Sequence, residues 1–362
     1  MPKAPTVYDV AAHAGVSIAT VSRVLRRPAD VRESTREKVL ASVRALGYVP
    51  SASARGLAAR RTGVIGLFFP GFDAVDSMID VAENADATVQ VVRDMPDSGD
   101  VRALDLYFDE VLRGAELEAW RQGFVLMVGV GRGADPETVV RDMAGRVDGL
   151  VVLARSVPDD VLENVAGRIP IVLLAGPRRG DDFDHVGVMN SEGMRTLTTH
   201  VVRELGVRDP VYVAGPLDSP DDDERYAGFS EALGDAGIDA ATLPVLRGEY
   251  LRERGRELGE LLAAEPKLPR ALVCGNDQMA LGILDVFARV GIRVPDDVVV
   301  TGFDGIEAGR LSSPRLTTVH QPMEDLGRAA VRVMAERLEH PDAAPITRRL
   351  PVTVMLRESS EG

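Results

Sequence analysis

Over the first fifty positions apolar residues recur in short stripes at helical spacing, each bounded by a capping residue or a glycine. Val7, Val10, Ala11 and Ala14 form the first stripe. Thr6 opens it, with Asp9 three residues on as reciprocal capping partner, and Gly15 closes it with a tight turn. Ser17 is placed to cap a second helix whose Val21, Val24 and Leu25 face inward, leaving Ile18, Ala19, Ser22 and Arg23 available to a partner. Ser34 and Glu37 predict a capping box for a third helix, carried by Val39, Val43 and Leu46 and stopped at Gly47. Three such helices with a glycine between the first two make a helix-turn-helix head, and a plain helical bundle with polar faces would show the same stripes.

From Gly63 onward the pattern changes to apolar runs of strand length alternating with amphipathic stretches. The clearest strands are predicted over 64–69, 124–130, 149–153, 171–174, 211–214, 271–274 and 298–301, with helices such as 106–122, 191–205, 222–236, 252–264 and 277–290 between them. Strand and helix in alternation mean parallel sheets covered on both faces. About ten units are too many for one small sheet, so the expected fold is an all-α head followed by an α/β body of two doubly wound parallel-sheet subdomains. Ligands of that architecture bind at the carboxyl ends of the strands, here in the cleft between the subdomains.

Two stretches stand outside the rhythm. Residues 51–62 are small and polar around a single Leu57, which suits either a plain linker or a short helix that forms only when docked and wedges its leucine into a minor groove. Residues 72–104 hold eight acids against Arg93 and Arg102 and are expected to form an acidic loop.

Charge separates the two parts further. Residues 1–61 carry eleven Lys or Arg against four acids, a net of +7, while the rest holds 31 basic and 52 acidic residues, a net of −21. A basic head follows a phosphate backbone with salt-dependent affinity, and an acidic body keeps that contact confined to the head. The one cysteine, Cys274, lies in an apolar run and is expected in the core, and the five histidines show no metal-ligand spacing. No metal, cofactor or membrane contact is expected, and the N-terminus lacks the apolar core of a secretory signal, so a cytoplasmic location is expected.

The chain resembles the LacI family of bacterial transcription regulators over essentially its whole length. The resemblance is carried by Thr6-Val7-Tyr8-Asp9-Val10-Ala11, Gly15-Val16-Ser17, Thr20-Val21-Ser22-Arg23-Val24-Leu25 and Leu46-Gly47-Tyr48-Val49-Pro50 in the head. In the body it rests on Ala214-Gly215-Pro216, Arg225-Tyr226-Ala227-Gly228-Phe229, Gly275-Asn276-Asp277-Gln278-Met279, Gly302-Phe303-Asp304 and Leu316-Thr317-Thr318-Val319.

By that resemblance the second helix enters the major groove of double-stranded DNA. Ile18, Ala19 and Arg23 fall at base-reading positions, where Arg23 can donate two bonds to a guanine edge and the other two can touch thymine methyls. Thr6, Tyr8, Ser17, Thr20, Ser22 and Arg26 are then phosphate or supporting contacts, and Leu57 is the minor-groove wedge. The partners implied are a near-palindromic operator, a second copy of the chain, and a small effector in the cleft, of the sugar or sugar-derivative class. For that effector the resemblance places Arg225, Asn276 and Asp304 at strand ends facing the cleft, with Tyr250 stacking on a ring and Phe108, Tyr107 and Gln321 as further candidates. Arg225 and Asp304 can equally pair with each other, and Tyr250 can equally cover the core.

The expected division is a head over 1–50, a hinge helix and linker over 51–62, a first subdomain over 63–184 and 321–346, a second over 185–320 and 347–357, and a short tail over 358–362. The function implied is a repressor whose hold on its operator is set by the effector, with release and co-repression both open. Two rivals fare worse. A periplasmic sugar-binding protein shares the body but needs an export signal and no basic head. A nucleotide-dependent enzyme has only the loose Gly129-x-Gly131-x-x-Ala134 run, with no acid about twenty residues on to hold a ribose.

Overall fold

The computed structural model describes residues 5–26, 28–48, 61–71, 106–131, 135–176 and 180–361. The chain divides into two compact units between Gly63 and Val64.

The first unit holds helices α1 (Val7–Ala14), α2 (Ile18–Arg26) and α3 (Glu33–Leu46), with a short 3-10 turn at Pro28–Asp30. Thr6 and Asp9 form the reciprocal box: the Thr6 N–H donates to Asp9 Oδ2 at 2.7 Å, and the Asp9 N–H to Thr6 Oγ1 at 3.4 Å. The Thr20 N–H donates to Ser17 Oγ at 3.2 Å, capping α2. The box expected at Ser34 and Glu37 does not form. The chain enters α3 extended through Arg32, so the helix begins at Glu33 and Ser34 already lies inside its first turn. Val10, Ala11, Ala14, Val21, Val24, Val39 and Tyr48 make the core. With so few buried side chains, each worth about 1.5–3 kcal/mol if large, caps matter to this unit.

The second unit contains two six-stranded sheets. The first is built from β1 (Val64–Pro70), β2 (Val125–Gly131), β3 (Gly149–Leu153), β4 (Ile171–Leu174), β5 (Asp184–Val188) and β11 (Thr347–Leu350) in the order β11-β5-β4-β3-β1-β2, all parallel. The second has β6 (Val211–Ala214), β7 (Val245–Arg247), β8 (Ala271–Cys274), β9 (Val299–Asp304), β10 (Thr317–His320) and β12 (Thr353–Met355) in the order β12-β10-β9-β8-β6-β7, with only β12 antiparallel. Strands β4, β6 and β8 are buried along their whole length, which explains their unbroken apolar runs. Helices α4 (Leu106–Arg121), α5 (Pro136–Ala144) and α6 (Asp159–Ala166) serve the first sheet, joined by α12 (Met323–Glu339). Helices α7 (Asn190–Thr199), α8 (Pro220–Asp235), α9 (Arg252–Ala264), α10 (Asp277–Val290) and α11 (Glu307–Leu311) serve the second.

Several boundaries differ from expectation. The chain crosses between the sheets three times, after β5, after β10 and after β11, so β5 and β11 belong to the first lobe and not to the second. The physical reason is parallel pairing: β11 lies along β5 from Thr347↔His185 to Leu350↔Val188, and the Arg337 guanidinium grips the Asp184 carboxylate at 2.7 and 2.8 Å. The helix expected over 191–205 stays α-helical only to Thr199 and continues as a π turn over His200–Glu204. The tail is no loose end. Ser359 is fully buried, its hydroxyl donating to the Val300 carbonyl at 2.6 Å while accepting the Thr317 N–H at 2.8 Å. The hinge helix with Leu57, the acidic stretch 72–104 and Ala134 of the loose nucleotide fingerprint lie outside the described residues. Among the described residues no helix is long and apolar enough to cross a membrane.

Candidate functional site

Helix α2 buries Val21 and Val24 and packs Leu25 against the same core. Ile18, Ala19 and Arg23 are exposed, and Tyr8 on α1 is 68% exposed. Ile18, in the first turn of this capped helix, is 41% exposed, an apolar side chain left in water. Ser17 Oγ and Thr20 Oγ1 lie 2.9 Å apart, and the Thr6 hydroxyl is 2.7 Å from Asp9 Oδ2, so these three hydroxyls are oriented at helix N-termini. Ser22 is half-buried on the same helix, and Arg26 is its last residue.

The second group gathers at the carboxyl ends of the second sheet. Strand order reverses at β6, which has β7 on one side and β8 on the other, and this is where such sheets open a crevice. Asn276 follows β8 and caps α10, accepting the Met279 N–H at 3.0 Å and donating to the Tyr250 carbonyl at 3.1 Å. Asp304 is the last residue of β9, and Gln321 follows β10; the Gln321 side-chain amide donates to Asp304 Oδ1 at 2.7 Å. Tyr250 follows β7 in the left-handed region at φ 63°, with its ring so close over Gly215 that a Cβ there would stand 2.3 Å from it.

Arg225 is not at a strand end. It projects from α8, 3% exposed, and reaches the same place from the side. Its Nε donates to Asn190 Oδ1 at 2.9 Å and its Nη1 to the Gly275 carbonyl at 2.7 Å, while Asp304 Oδ1 stands 3.6 Å away. Its Cζ lies 3.9 Å from the Phe303 ring centroid and 5.7 Å from that of Tyr250. Thus Arg225, Asn276, Asp304, Gln321 and Tyr250 converge, and the pairing of Arg225 with Asp304 is present. Phe108, on the first turn of α4, instead packs 4.8 Å from Phe69 of β1 and 5.1 Å from Tyr107, in the first lobe.

Electrostatics follow from burial. Desolvation raises Asp222 above its ordinary value, against the lowering effect of the Gly215 N–H and the Tyr212 hydroxyl, which donates to it at 2.9 Å. Burial would lower the Arg225 guanidinium, but Tyr250 and Asp304 outweigh it and hold the group above its usual value. Burial likewise pushes the Cys274 thiol up, in keeping with a core role.

Three neighbours of this group escape a reading of the sequence: Asn190, Asp221 and Asp222. Asn190 begins α7 and donates to both Asp221 (2.9 Å) and Glu224 (3.0 Å); Asp221 also accepts the Gly176 N–H of the first lobe at 2.9 Å. A signal existed, since Ser219 caps α8 with Pro220 and three acids in the first turn, which starts the helix two residues before the expected position 222. Elsewhere, a groove of about 640 Å3 on the outer side of α7 and α8 includes Arg195, Arg203 and Asp235, but Arg195 and Asp235 already pair at 2.7 Å, and none of the converging residues lines it.

A capped helical head with an outward reading face, attached to a two-sheet body with polar side chains gathered at strand ends, defines a DNA-binding transcription regulator. Residues 6–51 match the family model described as bacterial regulatory proteins, lacI family, and residues 199–360 match the periplasmic binding protein-like domain. The chain is 33% identical over 346 residues to the HTH-type transcriptional repressor PurR of Haemophilus influenzae, covering 93% of this chain and 92% of that one. It is 28% identical over 361 residues to catabolite control protein A of Priestia megaterium, covering 98% and 99%. Among solved structures, the lac repressor dimer bound to operator and the anti-inducer ONPF matches at a TM-score of 0.80, 26% identity, and 99% and 100% coverage. The transcriptional regulator CelR in complex with cellobiose matches at 0.66, 29%, and 98% and 99%. The chain belongs to the lacI family and is a DNA-binding transcriptional repressor of that family. The four proteins named here are described as regulators of transcription or of catabolite control.

Proposed function

We propose that this repressor binds a near-palindromic operator as a dimer and that a small ring-bearing effector in the cleft sets its affinity for that operator. Ile18, Ala19 and Arg23 read bases; Thr6, Tyr8, Ser17, Thr20, Ser22 and Arg26 hold or support the backbone; Leu57 wedges the minor groove at the dyad. Dimerisation is supported by likeness to the lac repressor dimer. Arg225, Asn276, Asp304, Gln321 and Tyr250 contact the effector, with Phe108 facing it from the first lobe. The observation that carries this reading is the convergence of five side chains from α8 and from the ends of β7, β8, β9 and β10 at the switch point of one sheet.

A sugar or sugar derivative fits the hydroxyl-matching set of Arg, Asp and Asn beside a tyrosine ring, and likeness to the cellobiose-bound regulator agrees with it. A second reading is a purine base, favoured by the 33% identity to PurR, since Tyr250 can stack on either. Selection of bound sequences from random DNA, followed by anisotropy titration of the selected duplex with adenine, guanine, glucose and cellobiose, tests the proposal. Two-fold half-sites and a shift in affinity of roughly 5- to 150-fold with a sugar or a purine are expected. A selected site without two-fold symmetry overturns the dimer, and no response to either class overturns the effector assignment.

A further inference from the structure

Asp277 is completely buried at the start of α10, and its side chain accepts bonds from the turn that follows Asp304 and from β10 beside it. Its Oδ2 accepts the backbone N–H groups of Gly305 at 2.8 Å and Ile306 at 2.9 Å, and its Oδ1 accepts the Thr318 hydroxyl of β10 at 2.6 Å. Strand β9 presses against this carboxylate so closely that a Cβ at Gly302 would stand 2.2 Å from Oδ1. One carboxylate therefore joins α10, β9, β10 and the turn after β9.

That turn needs holding. Asp304 has φ 120°, a conformation that side-chain-bearing residues rarely adopt and that persists only where the surroundings over-determine it. Gln321 holds the Asp304 side chain, and the Gln321 N–H donates to the Asp304 carbonyl at 3.0 Å, but neither takes up the N–H groups of the two peptides that follow. Asp277 accepts both. Burial pushes its carboxyl up to about 7 against the lowering bonds from Thr318, Ile306 and Gly305, so the fold keeps a costly group here for those three contacts.

We propose that Asp277 is a positioning residue for the effector cleft: by clamping the 304–306 turn between α10 and β10 it sets the direction in which Asp304 presents its carboxylate, without touching the effector. This rests on the assignment of Asp304 as an effector contact. An acid that merely favours a helix N-terminus would need no hydroxyl from the neighbouring strand and no peptide groups from another turn.

Hydrogen–deuterium exchange resolved to single amides, on the full-length chain, tests the clamp in Asp277→Asn, Thr318→Val and Thr318→Ser. Thr318→Val leaves Asp277 in place but loosens it, and exchange at Gly305 and Ile306 should rise about tenfold while amides of β4 and β8 hold steady. Thr318→Ser, which keeps the hydroxyl, should restore exchange to within about twofold of the wild type. Unchanged exchange at both amides, or a rise shared equally by β4 and β8, overturns the proposal. In parallel, whatever rise in Tm adenine or cellobiose gives the wild type should shrink in Thr318→Val and return in Thr318→Ser. Asp277→Asn should cost no further response once Asp304→Ala is present, and an additional independent loss also overturns it. If neither probe moves the wild-type Tm, the effector assignment fails for those classes, and the exchange pattern still decides the clamp.

Discussion

The head and the cleft deploy polar side chains in opposite ways. On α2, Ile18, Ala19 and Arg23 point outward, and Arg23 forms no ion pair among the described residues. At the proposed effector site, Arg225 is buried and bonded to Asn190 and Gly275, Asp304 to Gln321, and Asn276 to Tyr250. The difference matches the partners proposed. A surface that meets DNA can stay hydrated until contact, because released counterions drive the association. A small molecule offers few atoms, so its site must be held in shape beforehand.

Breaking the cleft should therefore unsettle the fold, while breaking the head should cost recognition. Arg225→Ala leaves Asp304, the Asn190 amide oxygen and the Gly275 carbonyl short of a donor, and urea denaturation should show a loss of about 3–5 kcal/mol; a loss under about 1 kcal/mol would erase the contrast. Arg23→Ala should weaken operator binding by about 1–3 kcal/mol and relax one base position. Its urea midpoint should barely move, within about 0.5 kcal/mol, and a larger drop would mean that α2 is not a free face. Thr6→Ala sharpens the line between holding and reading: it should cost the head about 1 kcal/mol by calorimetry while leaving the preferred operator sequence as it was.

The smallest effect is expected where a pair joins the lobes in the open. Arg349 of β11 donates to Glu192 of α7 at 2.9 and 2.7 Å, with both side chains roughly half exposed, so Arg349→Ala should cost less than about 1 kcal/mol. Burial raises the Glu192 carboxyl, but the Arg349 bond and charge outweigh it and bring the group below its ordinary 4.5. The folded state then binds that proton less tightly than the unfolded chain, so the pair's contribution is present above pH 4.5 and is lost as pH falls through the lowered value. The urea midpoints of wild type and Arg349→Ala should converge below pH 4.5; a gap that stays constant would assign the effect to packing.

Legibility follows the same divide. The head is written in local signals, a cap and a stripe within eight residues, so α1, α2 and their turn lie where the pattern puts them. The cap of α3 failed because Arg32 already carries the chain into the helix, a backbone effect with no side-chain signature. In the body, Asn276 and Asp304 follow apolar runs and are visible near strand ends, whereas Arg225 sits in mid-helix, where only resemblance marks it. Asn190, Asp221 and Asp222 meet their partners through contacts such as Arg225 to Asn190, Asn190 to Asp221 and Tyr250 to Asp222, 35, 31 and 28 residues apart, and no short pattern encodes them. Strand β11, Thr347–Leu350, is mostly exposed with two arginines at its centre, so neither period nor hydropathy marks it, and the lobe boundary drawn before it went astray.

The three crossings between the sheets also order the making of the protein. Neither lobe is one continuous run: the first lacks an edge strand until residues 347–350 have left the ribosome, and the second waits for 353–361, where Ser359 closes over β9 and β10. The head, complete within its first few dozen residues, can fold long before either lobe. For part of each synthesis cycle a nascent chain thus carries a finished head and an unfinished body.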